Sequence, residues 1–528
     1  QPLLAIHRGN IPIFLESSNI SNPAYSYILG GIASFILLIA CINFINLTIA
    51  RSIKRSKEVG IRKIIGGSRF KLVTQFLTES FLACSIAFLL AIGLALLALP
   101  VFNDVMNKQL SLSYLLDVRL ILESIGFLLV TGLAAGFYPA MVLSGFNPLD
   151  TLYQRLRVTG GAILAKALVV VQFALAGIFI ICAFFISRQV HFLAHKDLGY
   201  NDADLVTVNI DADNGQRFAR LFRNELLRNP AILAVARHNG QGRMEIAQAE
   251  GKQILFSYEH IDENYFRTLQ IPLVMGRNFS PEFPADSLHS IIVNETFAQN
   301  AGWKNPIGRT IEFPANHQRM TIVGVVRDFN YWPLTMNIMP QLFSIEPAGD
   351  DLEFDIRIAP ADKAETLAFI QKVFSTLAPY YPFSYTFRQD DNRHAYDAQE
   401  KWQAIITFAA IFTAFLSCIG LFGLTLLATE RRIKEIGIRK VLGASVAQLV
   451  RLLSLGFIAL VILANFIAIP LAWWAMDKWL QNFAYRISLQ WWVFALALLM
   501  SVLLAFATMA LRAVKAATAS PATNLRAE

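Results

Sequence analysis

Lys57-Glu-Val-Gly-Ile-Arg-Lys63 and Lys434-Glu-Ile-Gly-Ile-Arg-Lys440 are one basic heptapeptide written twice, 377 residues apart. Sliding the chain by that interval also superposes Gly66 on Gly443 and Ser68 on Ser445. Each half closes in a Pro-x-x-x-Leu tail, Pro148 to Leu152 and Pro521 to Leu525. A match this long implies two homologous halves, and the apolar sequence around each copy makes them membrane halves.

Composition agrees. Of 528 residues 55% are hydrophobic and 16% charged, and mean hydropathy is +0.47, well outside the averages of soluble domains. A spanning helix needs about 20 mostly apolar residues. Seven stretches qualify: roughly 27–50, 75–101, 119–143, 164–187, 403–428, 449–475 and 490–513. Cys41, Cys84, Cys182 and Cys418 all lie in apolar runs, with neither a disulfide framework nor a zinc-ligand spacing.

Charge sets the orientation. Between the first two spans lie Arg51, Lys54, Arg55, Lys57, Arg62, Lys63, Arg69 and Lys71 against the single acid Glu58, which places that loop in the cytoplasm. Alternating from there, Arg155, Arg157 and Lys166 fall inside, as do Arg431, Arg432, Lys434, Arg439 and Lys440. The segment from about 188 to 401 then lies outside. Trp402, Trp473, Trp474, Trp479, Trp491 and Trp492 cluster near the outer ends of the last three spans, as an aromatic belt does. The net charge of +8 is thereby spent on topology, and no nucleic-acid partner is expected.

In each copy Val59, Ile61, Ile64 and Ile65, or Ile436, Ile438, Val441 and Leu442, fall mainly on one face of a short helix, with Arg and Lys on the other. Gly66 or Gly443 can end it in a left-handed conformation. Ser68 or Ser445 can cap the next span, and Gln448 completes a capping box with Ser445. The positive-inside rule explains basic residues here. It does not require an acid before Gly and a Gly-x-Ser ending in both halves, so a protein-docking surface is the better account.

At these residues the chain resembles the FtsX-like permease family of ABC transporters, in particular its two-repeat, eight-span members with a MacB-like periplasmic core domain. Met275-Gly-Arg-Asn-Phe279, Val293-Asn-Glu-Thr-Phe297, Asn305-Pro-Ile-Gly308 and Ile322-Val-Gly-Val-Val-Arg-Asp-Phe329 resemble recurring stretches of that domain. The resemblance implies an α-helical integral membrane protein with two homologous transmembrane halves plus an α+β extracytoplasmic domain. Seven spans and Gln1 in place of Met are read as N-terminal truncation. The implied division is 1–24, the tail of a first outer domain; 25–163, three spans with coupling helix 52–67; 164–187, a further span; 188–401, the core domain; and 402–528, three spans with coupling helix 429–444.

The resemblance further implies a cytoplasmic ABC-type ATPase dimer as partner in a bacterial inner membrane, carrying ATP and Mg, with no cofactor on this chain. The resemblance also admits a periplasmic adaptor or substrate protein as a further partner. Carried onto this sequence, the ATPase-coupling residues are Lys57, Glu58, Gly60, Arg62, Lys63 and Gly66, and Lys434, Glu435, Gly437, Arg439, Lys440 and Gly443. The sequence has no Gly-x-x-x-x-Gly-Lys-(Ser/Thr) loop, and no catalytic or metal residue is assigned. Two readings stay open: an ABC permease that exports or extracts a substrate, or a transducer that controls an envelope enzyme or senses a peptide. A proton-coupled carrier is disfavoured, since Glu79 is the main ionisable residue within the spans. His191 and His195 have helical metal spacing without the Glu of a zinc-protease motif, and are placed on a helix continuing from the fourth span.

Overall fold

A computed structural model describes residues 23–65, 68–106, 109–111, 117–144, 159–211, 215–239, 243–314, 317–345 and 351–518. Among these, seven helices are long and apolar enough to cross a membrane. The chain forms two compact units. The membrane unit takes described residues up to Arg188, then Lys401–Trp479 and the chain from Ser488 onward; the outer unit takes Gln189–Glu400 and Leu480–Ile487. The first four helices are α1 (Pro23–Ile64), α2 (Arg69–Met106), α3 (Val118–Ser144) and α4 (Thr159–His195).

The outer unit is built from two sheets. Strands β1 (Leu205–Asp211), β2 (Ile232–His238), β10 (Asp351–Ile358) and β11 (Tyr385–Phe387) form an antiparallel sheet in the order β11-β1-β10-β2. Helix α5 (Gly215–Leu226) joins β1 to β2, and α7 (Lys363–Leu377) joins β10 to β11, the order of a split β-α-β plait. Phe218, Phe222 and Leu226 of α5 and Ile370 and Phe374 of α7 pack on Phe354 and Ile356 in one buried cluster. These side chains recur at four-residue spacing, which gives each helix a single apolar stripe to bury.

The second sheet is inserted between β2 and β10. Its strands are β3 (Arg243–Ala249), β4 (Lys252–His260), β5 (Leu273–Gly276), β6 (Ser290–Asn294), β7 (Thr310–Glu312), β8 (Arg319–Val326) and β9 (Gln341–Ser344), in the order β5-β8-β6-β9-β4-β3-β7. Because β7 pairs with both β3 and β8, six strands close into a ring and β5 adds to its flank. Helix α6 (Glu295–Ala301) lays Phe297 and Ala301 into its core beside Phe256, Trp303 and Ile322.

The four outer-unit motifs meet here, and they are structural. Asn294 caps α6: its Oδ1 accepts from Phe297 N at 3.0 Å and from Gln341 N at 2.9 Å. Asp328 accepts from Thr296 N and Oγ1 at 2.9 and 2.7 Å, tying the second motif to the fourth. Arg277 grips Asp286 through both guanidinium nitrogens at 2.6 and 2.7 Å. Gly308 takes a left-handed φ of 80°, and its N–H donates to Ile322 O.

The chain returns to the membrane unit through α9 (Asp397–Arg431), α10 (Ile433–Val441), α11 (Val446–Leu480) and α12 (Trp491–Thr518), after the short α8 (Arg388–His394). Helices α1 and α9, related by the repeat, meet at the positions that the 377-residue slide superposes. Asn43 Nδ2 donates to Leu416 O at 2.7 Å, and Gln172 Nε2 of α4 donates to the same carbonyl at 3.1 Å. A Cβ on Gly420 would sit 2.0 Å from Asn43 Oδ1, and one on Gly423 would sit 2.4 Å from Leu47 Cδ2. Close packing is thus the reason for small residues at this crossing. Gly420→Leu should drive α1 off α9 and cost about 3 kcal/mol, the upper end of overpacking penalties. The check is the melting temperature of the detergent-purified protein; an unchanged value contradicts the crossing.

One polar side chain orders the connection between the last two spans. Gln189 is fully buried, donates from Nε2 to Tyr485 O at 2.8 Å and accepts at Oε1 from Ile487 N at 3.0 Å. Ala484 N donates to Thr335 O, and Lys196 Nζ lies 4.5 Å above the Tyr485 ring. The segment Leu480–Ile487 therefore folds as part of the outer unit, although it links two membrane helices.

Candidate functional site

The two copies of the basic motif are anchored alike. Val59 is buried on Leu72, Phe76 and Ala140, and its repeat partner Ile436 is buried on Leu449, Val450, Leu453 and Ala513. In both, the anchor meets the first turns of the following span. One apolar side chain per copy therefore fixes the helix to its own half.

The rest of the apolar face is exposed. Ile61, Ile64 and Ile65 are 43, 58 and 80% exposed, and Ile438, Val441 and Leu442 are 54, 66 and 80% exposed. Periodicity placed all of these positions on one side of the helix, and among them Val59 and Ile436 are the buried ones. The exposed triplets occupy superposed positions. Solvated polar chains would be the ordinary occupants of a juxtamembrane surface, and apolar side chains repeated there mark a surface made to be covered.

Charge surrounds each triplet. Arg62 Nη1 donates to Gln75 Oε1 at 2.7 Å, and Arg439 Nη2 lies 2.9 Å from Glu435 Oε1 one turn earlier. Partial burial and then Arg69 pull the Lys63 ammonium below the usual lysine value. Lys440 is half-buried and Gly437 buried. The side chains of Lys57, Glu58 and Lys434 and the surroundings of Gly60 lie outside what is described, and Gly66 lies outside the described residues.

Local chemistry shapes the second copy more sharply. Gly443 adopts φ 91°; its N–H donates to Lys440 O, and Ala444 N donates to Arg439 O, which ends α10. Ser445 N donates to Gln448 Oε1 at 3.0 Å while Gln448 N donates to Ser445 Oγ at 3.3 Å, a reciprocal capping box. The first copy differs in being continuous with its span, since α1 runs unbroken from Pro23 to Ile64. In the second, Thr425 and Thr429 bind back to the carbonyls of Leu421 and Thr425, a pairing that bends helices, and a break follows at Arg432.

Other sequence candidates find plainer settings. Glu79 accepts from Gln75 Nε2 on its own helix at 3.2 Å. His191 and His195 are exposed near the end of α4, where His195 Nδ1 lies 2.9 Å from His191 O and the rings stack at 4.1 Å. Trp474 and Trp491 are exposed. Arg188 lies 5.0 Å over Trp492 and donates to Gln490, at the level expected for the aromatic belt.

The comparisons with known proteins follow this architecture. The FtsX-like permease C-terminal family matches residues 30–148 and again 407–521, the two segments that carry the repeated helices. The two membrane halves carry the FtsX-like permease match. Residues 167–368 match the MacB-like periplasmic core domain, so the chain joins two FtsX-like membrane halves to a MacB-like outer domain. A macrolide export ATP-binding/permease protein MacB of Bdellovibrio bacteriovorus is 29% identical over 143 residues, 27% of this chain and 21% of that protein. Its namesake in Neisseria meningitidis is 33% identical over 128 residues, 24% of this chain and 19% of that protein. An uncharacterized ABC transporter permease, YvrN of Bacillus subtilis, is 28% identical over 135 residues, 25% of this chain and 31% of that protein. The chain thus spans about a fifth of the length of the MacB relatives. The crystal structure of the periplasmic region of MacB from Actinobacillus actinomycetemcomitans covers 37% of this chain and 94% of its own, at 17% identity and TM-score 0.29.

Proposed function

We propose that this chain couples ATP hydrolysis on a cytoplasmic ABC-type ATPase to movement of its outer unit, and that it serves export or extraction of a substrate from a bacterial inner membrane or periplasm. The observation that carries the reading is the pair of exposed apolar triplets, Ile61, Ile64 and Ile65 with Ile438, Val441 and Leu442, each held by one buried anchor beside basic side chains. Two equivalent helices suit a partner that presents two equivalent grooves, as an ATPase dimer does. ATP and Mg then belong to the partner, and this chain supplies mechanical coupling. Export is favoured by the names of similar proteins, which include a pyoverdine export ATP-binding/permease protein of Pseudomonas aeruginosa.

A second reading, mechanotransmission to an envelope enzyme or peptide sensor without transport, draws on Gln189 and the segment Leu480–Ile487. They make the connection between α11 and α12 part of the outer unit, so displacement of those helices would be felt there directly. Co-purification tests what both readings share. Protein solubilised from its native membrane should retain an ATP-binding partner, and Ile65→Asp with Leu442→Asp should release it. Retention of the partner by that double variant would exclude docking on these faces.

A further inference from the structure

The outer unit buries a cluster of ionisable groups at the seam where its two sheets meet. His238 ends β2 with 0% exposure, and its backbone bridges to Ile261 just past β4. Its Nδ1 lies 3.0 Å from Glu259 Oε1 of β4. Its Nε2 lies 3.2 Å from Asp355 Oδ2 and 3.7 Å from Glu353 Oε1, both of β10.

Other partners use only part of this oxygen set. Arg388 Nη2 contacts Glu353 Oε1 at 2.8 Å and Asp355 Oδ1 at 3.0 Å, and Thr207 Oγ1 donates to Asp355 Oδ1 at 2.9 Å. Asp355 Oδ2, Glu259 Oε1 and both ring nitrogens of His238 have no access to water and no hydrogen bond of acceptable geometry. Distances of hydrogen-bond length without the matching angles leave four buried polar atoms aimed at one another. Leaving such buried groups unmatched is costly.

Charge points the same way. Glu259, Glu353 and Asp355 carry three negative charges when ionised, against the one positive charge of Arg388. The site therefore draws in positive charge, and a divalent cation would offset both surplus charges.

We propose that this seam binds a divalent cation of zinc type, with His238 Nε2, Asp355 Oδ2 and Glu353 as ligands. Those three ligand atoms lie within 4.8 Å of one another. Ligands about 2.0–2.1 Å from a tetrahedral ion stand roughly 3.3 Å apart, close to the 3.2 Å between His238 and Asp355. Glu353 approaches by a side-chain rotation, and as the more exposed ligand, at 15%, it marks the side of entry. A small turn of the ring would then let Glu259 accept from Nδ1–H and fix it, the usual outer partner of a metal-bound histidine. The ion would tie β10 and β2 of the plait to β4 of the inserted sheet, setting the angle between the two.

The test uses full-length protein in detergent, stripped with a chelator, exposed to Zn²⁺ alone and desalted. Mass spectrometry should find about one zinc per chain, with an upward shift in outer-unit melting. Replacing His191 and His195 with alanine should leave that zinc in place. His238→Gln should abolish retention and Glu259→Gln should weaken it about 10–100-fold. Glu353→Gln, at the exposed edge, should weaken binding while the metal-free protein melts as the parent does, which keeps the test valid if His238→Gln fails to fold. Zinc absent from the parent protein, equal in His238→Gln or Glu353→Gln, or lost only with His191 and His195 would each overturn the proposal. An imidazolium resonance for His238 in zinc-saturated protein would do the same.

Discussion

Gly276→Ala should strongly destabilise the outer unit, lowering its stability by about 2–5 kcal/mol. Two costs combine. Gly276 holds φ 74°, a left-handed conformation that costs an L side chain roughly 1–2 kcal/mol. An added Cβ would also stand 2.2 Å from Val323 O and 2.7 Å from Ile307 Cδ1, and the backbone oxygen cannot yield without parting β5 from β8, at a further overpacking cost of about 1–3 kcal/mol. The combined loss is a large share of the 5–15 kcal/mol that typically holds a domain together. Gly302→Ala is the matched control. It shares a φ of 81°, yet its added Cβ would meet only the flexible end of Lys252 at 3.1 Å, so about 1–2 kcal/mol is expected. Limited proteolysis and outer-unit melting read both, and equal effects would remove the steric part of the argument.

Arg62→Glu combined with Arg439→Glu should reduce ATPase binding about 1,000-fold and remove stimulation of ATP hydrolysis, with membrane insertion retained. Each arginine stands beside an exposed apolar triplet, half or more of the Arg439 side chain being open to solvent. Loss of a charge contact at a docking surface costs about 2 kcal/mol at the low end, and two separated sites add, giving roughly 4 kcal/mol or three decades. Within the chain the reversals cost little. Arg439→Glu sets a like charge one turn from Glu435, a repulsion of about 0.5 kcal/mol, and Arg62→Glu gives up the hydrogen bond to Gln75. Wild-type stimulation in the double variant would place the ATPase elsewhere.

What the sequence revealed followed the range of the interactions involved. The left-handed Gly443 and the Ser445–Gln448 capping box are local, so a few consecutive residues state them completely. The seven spans were equally legible, since each depends on the hydropathy of its own stretch. Helical spacing put Ile61, Ile64 and Ile65 on one face, but spacing is silent about what a face meets, and the structure leaves that face open. The plait was hidden because β10 lies beside β1 and β2 only after the whole inserted sheet has been made. The His238 cluster was hidden for the same reason: its members come from β2, β4, β10 and α8, with no spacing that a reader of the sequence could recognise. Asn43 and Gly420 gave a partial signal, since the repeat aligned them, and contact between the aligned helices then follows from the pairing of the two halves.

Cysteine labelling across the membrane tests the central claim most directly. Ile65→Cys and Leu442→Cys, each 80% exposed in the parent, are compared with Tyr380→Cys, 95% exposed in the outer unit, after Cys41, Cys84, Cys182 and Cys418 are replaced. Ser290 would not serve for the outer position, because it is buried and bonded to Asp286. With an impermeant maleimide, right-side-out vesicles should label position 380 alone. Inside-out vesicles should label 65 and 442 together, and added ATPase partner should protect both. Labelling of 65 or 442 from the outside, or an ATPase that protects neither, would contradict the account of two equivalent cytoplasmic coupling helices.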